Sequence, residues 1–375
     1  MLGKIFRKTF FAFFLLGCFS LYPQTQQKCF RIGVHADNNM FLNLFTGAFW
    51  VGNTPPLDTN GYPVSIPYGG TITSVEAIMS SFQSTIWSDS VYVVRWDGDG
   101  DATITNWYTS GSNININNTK NGVDGRIEFS VHYNSAWSAD DQYQVKLRIT
   151  RSNASNHMRN IRLYLKTFEN AYENQGKRIH PWYIEKTQPF GMFRFMGAFN
   201  INNSTFKTWT DRTTPTWNNQ THGNKGQGLA YEWACDLCNY TKKNMWFNVP
   251  HAADNDAIRR MAQTVLKNLN PDLDVYLEYS NETWNYAGPF YQQFAYVQNY
   301  PGGHAALSKN IFRIWREVFG KDSLRVKRVL ASIGVSDVNH ISMGRIQSCG
   351  VDNFDVWSVT YYWGEMKTSW CNADV

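Results

Sequence analysis

The chain has 375 residues, 43% of them hydrophobic and 17% charged. That is too apolar for a mainly disordered polymer, and long enough for about two to three domains of ~150 residues. A formal net charge of +5, with no long basic run, argues against nucleic acid as a partner. Aromatic residues make up 16% (15 Trp, 20 Tyr, 24 Phe), enough to build deep cores or platforms for flat ligand faces.

Residues 1–20 read as a secretory signal peptide. Lys4, Arg7 and Lys8 precede an apolar core from Thr9 to Gly17, which is about half of the ~20 residues that span a bilayer. Cys18 and Ser20 suit cleavage after Ser20 and release of a secreted protein. Alternatively, Leu15-Leu16-Gly17-Cys18 reads as a lipobox that would anchor the chain through a lipidated Cys18. No other segment is apolar for long enough to be an integral membrane span. Without Cys18 the cysteine count is odd (Cys29, Cys235, Cys238, Cys349, Cys371). The isolated Cys235-x-x-Cys238 has no second pair at zinc-finger spacing, and reads as two helix cysteines or a local disulfide.

Residues 30–158 are rich in Gly, Asn, Thr, Ser and β-branched residues. Strands are expected at 90–96, 102–105, 125–131 and 143–149, so this half reads as an all-β sandwich, a candidate carbohydrate-binding domain. The acidic run Asp97–Asp101 lacks the distal Glu of a calcium loop and reads as a hairpin turn. From 159 to 375 the pattern becomes β-α-β. Strands are expected at Ile161–Leu165, Met192–Met196, Met245–Val249, Val275–Tyr279, Val326–Ile333 and Val356–Thr360, with helices over Leu229–Tyr240, Asp254–Leu269 and Ala305–Phe319. Such alternation gives a parallel sheet. Polar and aromatic residues just past successive strands favour a (β/α)8 TIM-type barrel, whose active sites lie at that end. Residues 159–375 supply about six of eight strands and fall short of the ~250 residues usual for this fold, so the barrel is expected to be incomplete at its C-terminus.

The strand ends carry Arg194, His251, Asn281-Glu282 and Tyr361-Tyr362-Trp363. Glu282, in a cleft walled by Trp246, Trp284 and Tyr286, would be partly desolvated. Its carboxyl pKa would rise, and it could donate a proton to a leaving glycosidic oxygen. The Asn281 amide could bond a sugar hydroxyl. Glu278 lies four residues, ~13 Å, back along the strand and cannot be a second catalytic carboxyl; it is expected inside the barrel, paired with an arginine. A metal site from His251, Asp254 and Asp256 lacks a further ligand, and no cofactor is implied.

The run Leu277-Glu278-Tyr279-Ser280-Asn281-Glu282-Thr283-Trp284-Asn285 resembles the fourth-strand Asn-Glu signature of the retaining (β/α)8 glycoside hydrolases. Arg194 resembles their second-strand arginine, His251 a third-strand histidine, and Tyr361 or Tyr362 a sixth-strand aromatic. Over most of 30–364 the chain is similar to secreted cellulase-like or cellulose-binding-like proteins that carry a β-sandwich before a barrel. The resemblance implies that Glu282 is the acid/base. It also implies that Asn281, Arg194, His251, Trp284, Tyr361, Tyr362 and Trp363 hold a polysaccharide or oligosaccharide. In that clan the nucleophile is a seventh-strand Glu, beyond the six strands counted; Glu365 is the remaining local candidate. The chain is therefore expected to be a C-terminally truncated enzyme, with a non-catalytic polysaccharide-binding protein as the alternative.

Overall fold

The computed structural model describes residues 33–36, 40–82, 90–106, 114–131, 143–221, 223, 226–333 and 341–360. The leader with Cys18, Cys29, and the segment holding Tyr361, Tyr362, Trp363, Glu365 and Cys371 lie outside the described residues.

The first strand, β1 (Gly33–His35), precedes an antiparallel region. That region comprises β2 (Phe49–Val51), β3 (Val75–Phe82), β4 (Ser90–Asp97), β5 (Asp99–Asn106), β6 (Ile114–Lys120), β7 (Gly122–Val123), β8 (Arg126–Val131), β9 (Tyr143–Ser152) and β10 (Arg159–Leu165). They form a four-stranded sheet, β10-β4-β8-β6, and a five-stranded sheet, β2-β3-β9-β5-β7. Alternation decides which face is buried: β8 buries Ile127, Phe129 and Val131 and leaves Arg126, Glu128 and Ser130 half-buried. These side chains join Tyr92, Val94 and Trp96 of β4, and Ala77, Met79, Leu147 and Ile149 of the other sheet, in one apolar cluster. Gly125 is required there, because a Cβ would overlap the Trp96 ring.

Two expectations are corrected here. The acidic run does not close a hairpin: β4 and β5 belong to different sheets, and Asp97-Gly98-Asp99 carries the chain from one to the other. Its carboxylates are spent on arginines. Asp97 pairs with Arg162 at 2.8 Å, and Asp99 and Asp101 pair with Arg151, each at 2.6 Å. Arg151 holds both carboxyls below the usual carboxylate range. Second, Ile161–Leu165 is not the first strand of the parallel sheet. It lies in β10, antiparallel to β4 with Leu163 opposite Val94.

The parallel sheet takes β1 instead. Its order is β1-β11-β12-β13-β14-β15, where β11 is Met192–Arg194, β12 Asn244–Val249, β13 Val275–Tyr279, β14 Val326–Ile333 and β15 Val356–Thr360. All five pairings are parallel. The helices Tyr231–Thr241, Asn255–Asn268, Tyr291–Asn299, Gly303–Phe319 and Met343–Cys349 fill the crossovers from β11 onward. The Asp254 carboxylate starts the second of these by accepting from Ala257 N at 2.7 Å, and its Ala257, Ile258, Met261, Ala262 and Val265 face the core. They pack with Phe193, Phe247, Leu277, Ile314 and Trp315. Cys235 and Cys238 are buried free thiols in the helix Tyr231–Thr241, and burial pushes both pKa values up. The fold is thus mixed α/β: a curled parallel sheet, consistent with part of a barrel, plus two antiparallel sheets. Among the described residues no helix is long and apolar enough to cross a membrane.

The antiparallel region leaves and rejoins the parallel sheet through one pair of segments. Phe41 bridges Ile179, Leu42 N donates to Arg178 O at 2.8 Å, and His180 N donates to Met40 O at 2.7 Å.

Candidate functional site

Parallel pairing in chain order makes β11 the second strand of the sheet, β12 the third and β13 the fourth. Arg194 ends β11, His251 follows β12, and Asn281-Glu282 follows β13. All sit at or past the C-terminal ends of their strands.

The densest polar cluster is built on Glu278. Its side chain is 3% exposed, and one oxygen, Oε2, accepts from three side chains. Arg194 Nη2 lies at 2.8 Å and Nε at 3.3 Å, Trp246 Nε1 at 2.7 Å and Asn248 Nδ2 at 2.7 Å. The register explains the convergence: Asn248 lies opposite Glu278, and Trp246 opposite Arg194. Glu278 is thus paired with an arginine inside the sheet, as its position on the strand predicts. Arg194 pairs with Glu278 and reaches Asn281. Its Nη2 donates to Asn281 Oδ1 at 3.0 Å. The Asn281 amide in turn donates to Asn202 Oδ1 at 2.9 Å, and Gln293 Nε2 donates to the Asn281 carbonyl at 3.2 Å. Asn281 is therefore fixed on both sides. His35 lies opposite Arg194 at the end of β1, and desolvation with the Arg194 charge lowers its pKa.

After Tyr279 the chain turns sharply. Ser280 (φ +55°) and Glu282 (φ +41°) both adopt the left-handed region that non-glycine residues rarely occupy. Such conformations cost about 1–3 kcal/mol each and concentrate at functional sites. Asn248 Nδ2 holds the Ser280 carbonyl at 2.9 Å. Glu282 is half-buried, and its Oε2 accepts from Asn285 Nδ2 at 3.0 Å.

The three aromatics expected to wall one cleft have separate partners. Trp246 stacks on Tyr276 at 6.0 Å between centroids, with the Arg194 guanidinium over its ring at 5.5 Å. Trp284 carries the Arg345 guanidinium over its ring at 5.0 Å. Tyr286 is 74% exposed and meets Phe294 edge-on. Among the described residues no ring contact joins the three.

His251 stands apart from the Arg194–Glu278–Asn281 cluster. Its ring packs edge-on against Tyr296, its buried Nδ1 has no hydrogen-bond partner among the described residues, and its carbonyl accepts from Tyr279 Oη at 2.8 Å. Burial, with the Lys207 charge, pushes its pKa down to about 4. Asp254 caps its helix and Asp256 pairs with Arg260 at 2.8 Å, so both carboxylates that could have joined His251 around a metal are engaged on their own helix.

Two clefts of similar size lie among the described residues. One, of about 460 Å³, is lined by Met196 and the 200–205 segment, including Asn202. The other, of about 450 Å³, is lined by Trp284, His304 and Arg345 among others. His35, Asn202, Asn248, Gln293 and Arg345 were not picked out from the sequence. Gln293 alone left a signal: an amide at the core-facing position of a helix, four residues before Val297.

No family model matches the chain, and no curated protein sequence does. One solved structure is similar, a beta-glucosidase from Kluyveromyces marxianus in complex with glucose. It is 10% identical, with a TM-score of 0.18, over 61% of this chain and 23% of that one. The chain thus spans under a quarter of that protein's length.

Proposed function

We propose that this chain is a secreted glycoside hydrolase-like protein acting on polysaccharide, with Glu282 as general acid/base of a retaining two-carboxylate mechanism. One observation carries the reading. An Asn-Glu pair stands on a strained turn past the fourth strand of a parallel sheet, and the arginine ending the second strand holds the Asn amide. In this reading Arg194 and Asn202 orient the Asn281 amide, which has a second N–H to offer a sugar hydroxyl. Glu282 protonates the departing oxygen and then, as a carboxylate, activates water. A retaining reaction needs a second carboxyl about 5–5.5 Å away, expected after a seventh strand. Closure into a (β/α)8 barrel, packing of the antiparallel sheets as a sandwich, a cleaved leader at residues 1–20, and sugar contacts from His251, Trp284, Tyr361, Tyr362 and Trp363 belong to the same proposal.

The test is hydrolysis of a panel of polysaccharides by the full chain and by Glu282→Gln, with melting temperature as the folding control. Loss of about 10²–10⁴-fold in rate at unchanged stability is expected for removal of a general acid. Unchanged hydrolysis in Glu282→Gln would remove Glu282 from the chemistry. Binding without hydrolysis by a full-length protein that includes the seventh-strand carboxyl would instead favour the non-catalytic polysaccharide-binding reading.

A further inference from the structure

The cleft beside Trp284 has a chemistry of its own. Arg345 lines it, yet among the described residues the guanidinium has no carboxylate partner. Nη1 donates to the Ala331 carbonyl and Nη2 to Thr283 Oγ1, both at 2.8 Å. The acidic side chain whose charge reaches it is Glu278, already held by Arg194, Trp246 and Asn248. Burial brings the Arg345 pKa down to about 9, which leaves it protonated at neutral pH. A partly desolvated cation without a counter-charge is costly unless an anion arrives.

Two further features belong to the same lining. Gly302, Gly303 and His304 line the cleft, and the last two begin the 17-residue helix Gly303–Phe319. That helix start has no side-chain cap and no acidic residue in its first turn; Gly303 N donates to Tyr300 O at 2.8 Å, and no carboxylate of that turn offsets the positive end of the dipole. His304 is 6% exposed, and its buried Nε2 has no hydrogen-bond partner among the described residues. Its Nδ1 lies 2.9 Å from Thr283 Oγ1. With the Thr283 hydroxyl donating to Nδ1, the imidazole proton sits on Nε2, a further unused donor.

We propose that this cleft is a subsite for the oxyanion of an acidic sugar, a carboxylate or sulfate group held by Arg345, the start of the helix Gly303–Phe319 and His304 beside Trp284. Because Thr283 and Trp284 directly follow Glu282, the subsite adjoins the proposed acid/base, and it narrows the substrate class to anionic polysaccharide. The sugar part rests on the proposed function; the anion part does not. The net charge of +5 is in keeping with an acidic polymer.

The experiment is titration calorimetry on the full chain with three probes of matched length: an oligogalacturonate, a sulfated oligosaccharide and a neutral cello-oligosaccharide. At least one anionic probe is expected to bind tenfold or more tightly than the neutral one, with affinity falling as salt rises. The other anionic probe tells a carboxylate from a sulfate site. Arg345→Gln should erase the preference. Arg345→Lys, which keeps the charge but not the two-pronged donor, should keep part of it. Glu282→Gln should keep it in full, so loss of hydrolysis and loss of anion binding are read separately. Equal affinity for neutral and acidic probes in the native chain overturns the proposal, as does a natively folded Arg345→Gln that retains the preference.

Discussion

The Glu278 cluster gives the sharpest quantitative test of how the site is held. In Glu278→Ala, the donors on Arg194, Trp246 and Asn248 lose their common acceptor, and Arg194, whose side chain is 20% exposed, keeps its charge without a carboxylate partner. Breaking a buried ion pair from one side costs about 3–5 kcal/mol, mostly because the surviving charge stays desolvated. At about 2 °C per kcal/mol for a unit of this size, the melting temperature should fall by about 6–10 °C. Circular dichroism melts of the native chain, Glu278→Ala, Arg194→Met and the double variant Arg194→Met/Glu278→Leu would measure it. The double variant removes both charges and should recover at least half of the loss. A fall below about 2 °C in Glu278→Ala, or a double variant no more stable than that single one, would show that the pair is not what holds β11 to β13.

Two other outcomes are expected. His251, with its folded pKa near 4, takes up a proton in the unfolded chain near pH 6.5 but not in the folded one. Stability should therefore be full above pH 6.5 and fall by up to about 3 kcal/mol as the pH drops to about 4. Urea titrations across that window should show a flatter profile for His251→Phe; an identical slope would mean that another group carries the dependence. Gly125→Ala places a methyl group against the fully buried Trp96 ring and should cost about 1–3 kcal/mol, read as a lowered urea midpoint.

The strands β11 to β15 were legible because each is a short apolar run separated from the next by a helix with a one-sided apolar face. That Glu278 would pair with an arginine was legible too, since a carboxylate in mid-strand must find a cation; that the arginine is Arg194 was not. Ile161–Leu165 misled because an apolar run carries no record of its partner: β10 pairs with β4, far back in the chain, rather than with the next strand along. Gly33–His35 escaped notice because three residues show no periodicity, and because its neighbour β11 lies beyond the whole antiparallel region. The acidic turn Asp97–Asp101 was given the wrong geometry, for a hairpin and a step between sheets use the same residues. At the site, Asn281 and Glu282 stood out by their place after a strand. Asn202 and Arg345 did not, because polar residues in loops acquire meaning only from the segments that fold against them.

The paired segments Met40–Leu42 and Arg178–His180 bear on how the chain assembles. β1 and β11 are distant in sequence, and contacts of that kind slow folding because a long loop must close before they form. Loop-closure entropy itself rises by only about 0.6 kcal/mol per doubling of length, so the difficulty is one of search rather than of final stability. Once the antiparallel sheets are folded, the bridge at Phe41 and Ile179 has already brought the ends together, and β1 meets β11 as though across a short turn. The antiparallel region would then act as a folding template for the parallel sheet. Weakening the bridge with Phe41→Ala should delay protection of the β1 and β11 amides in pulsed hydrogen exchange while leaving that of β4 and β8 on schedule.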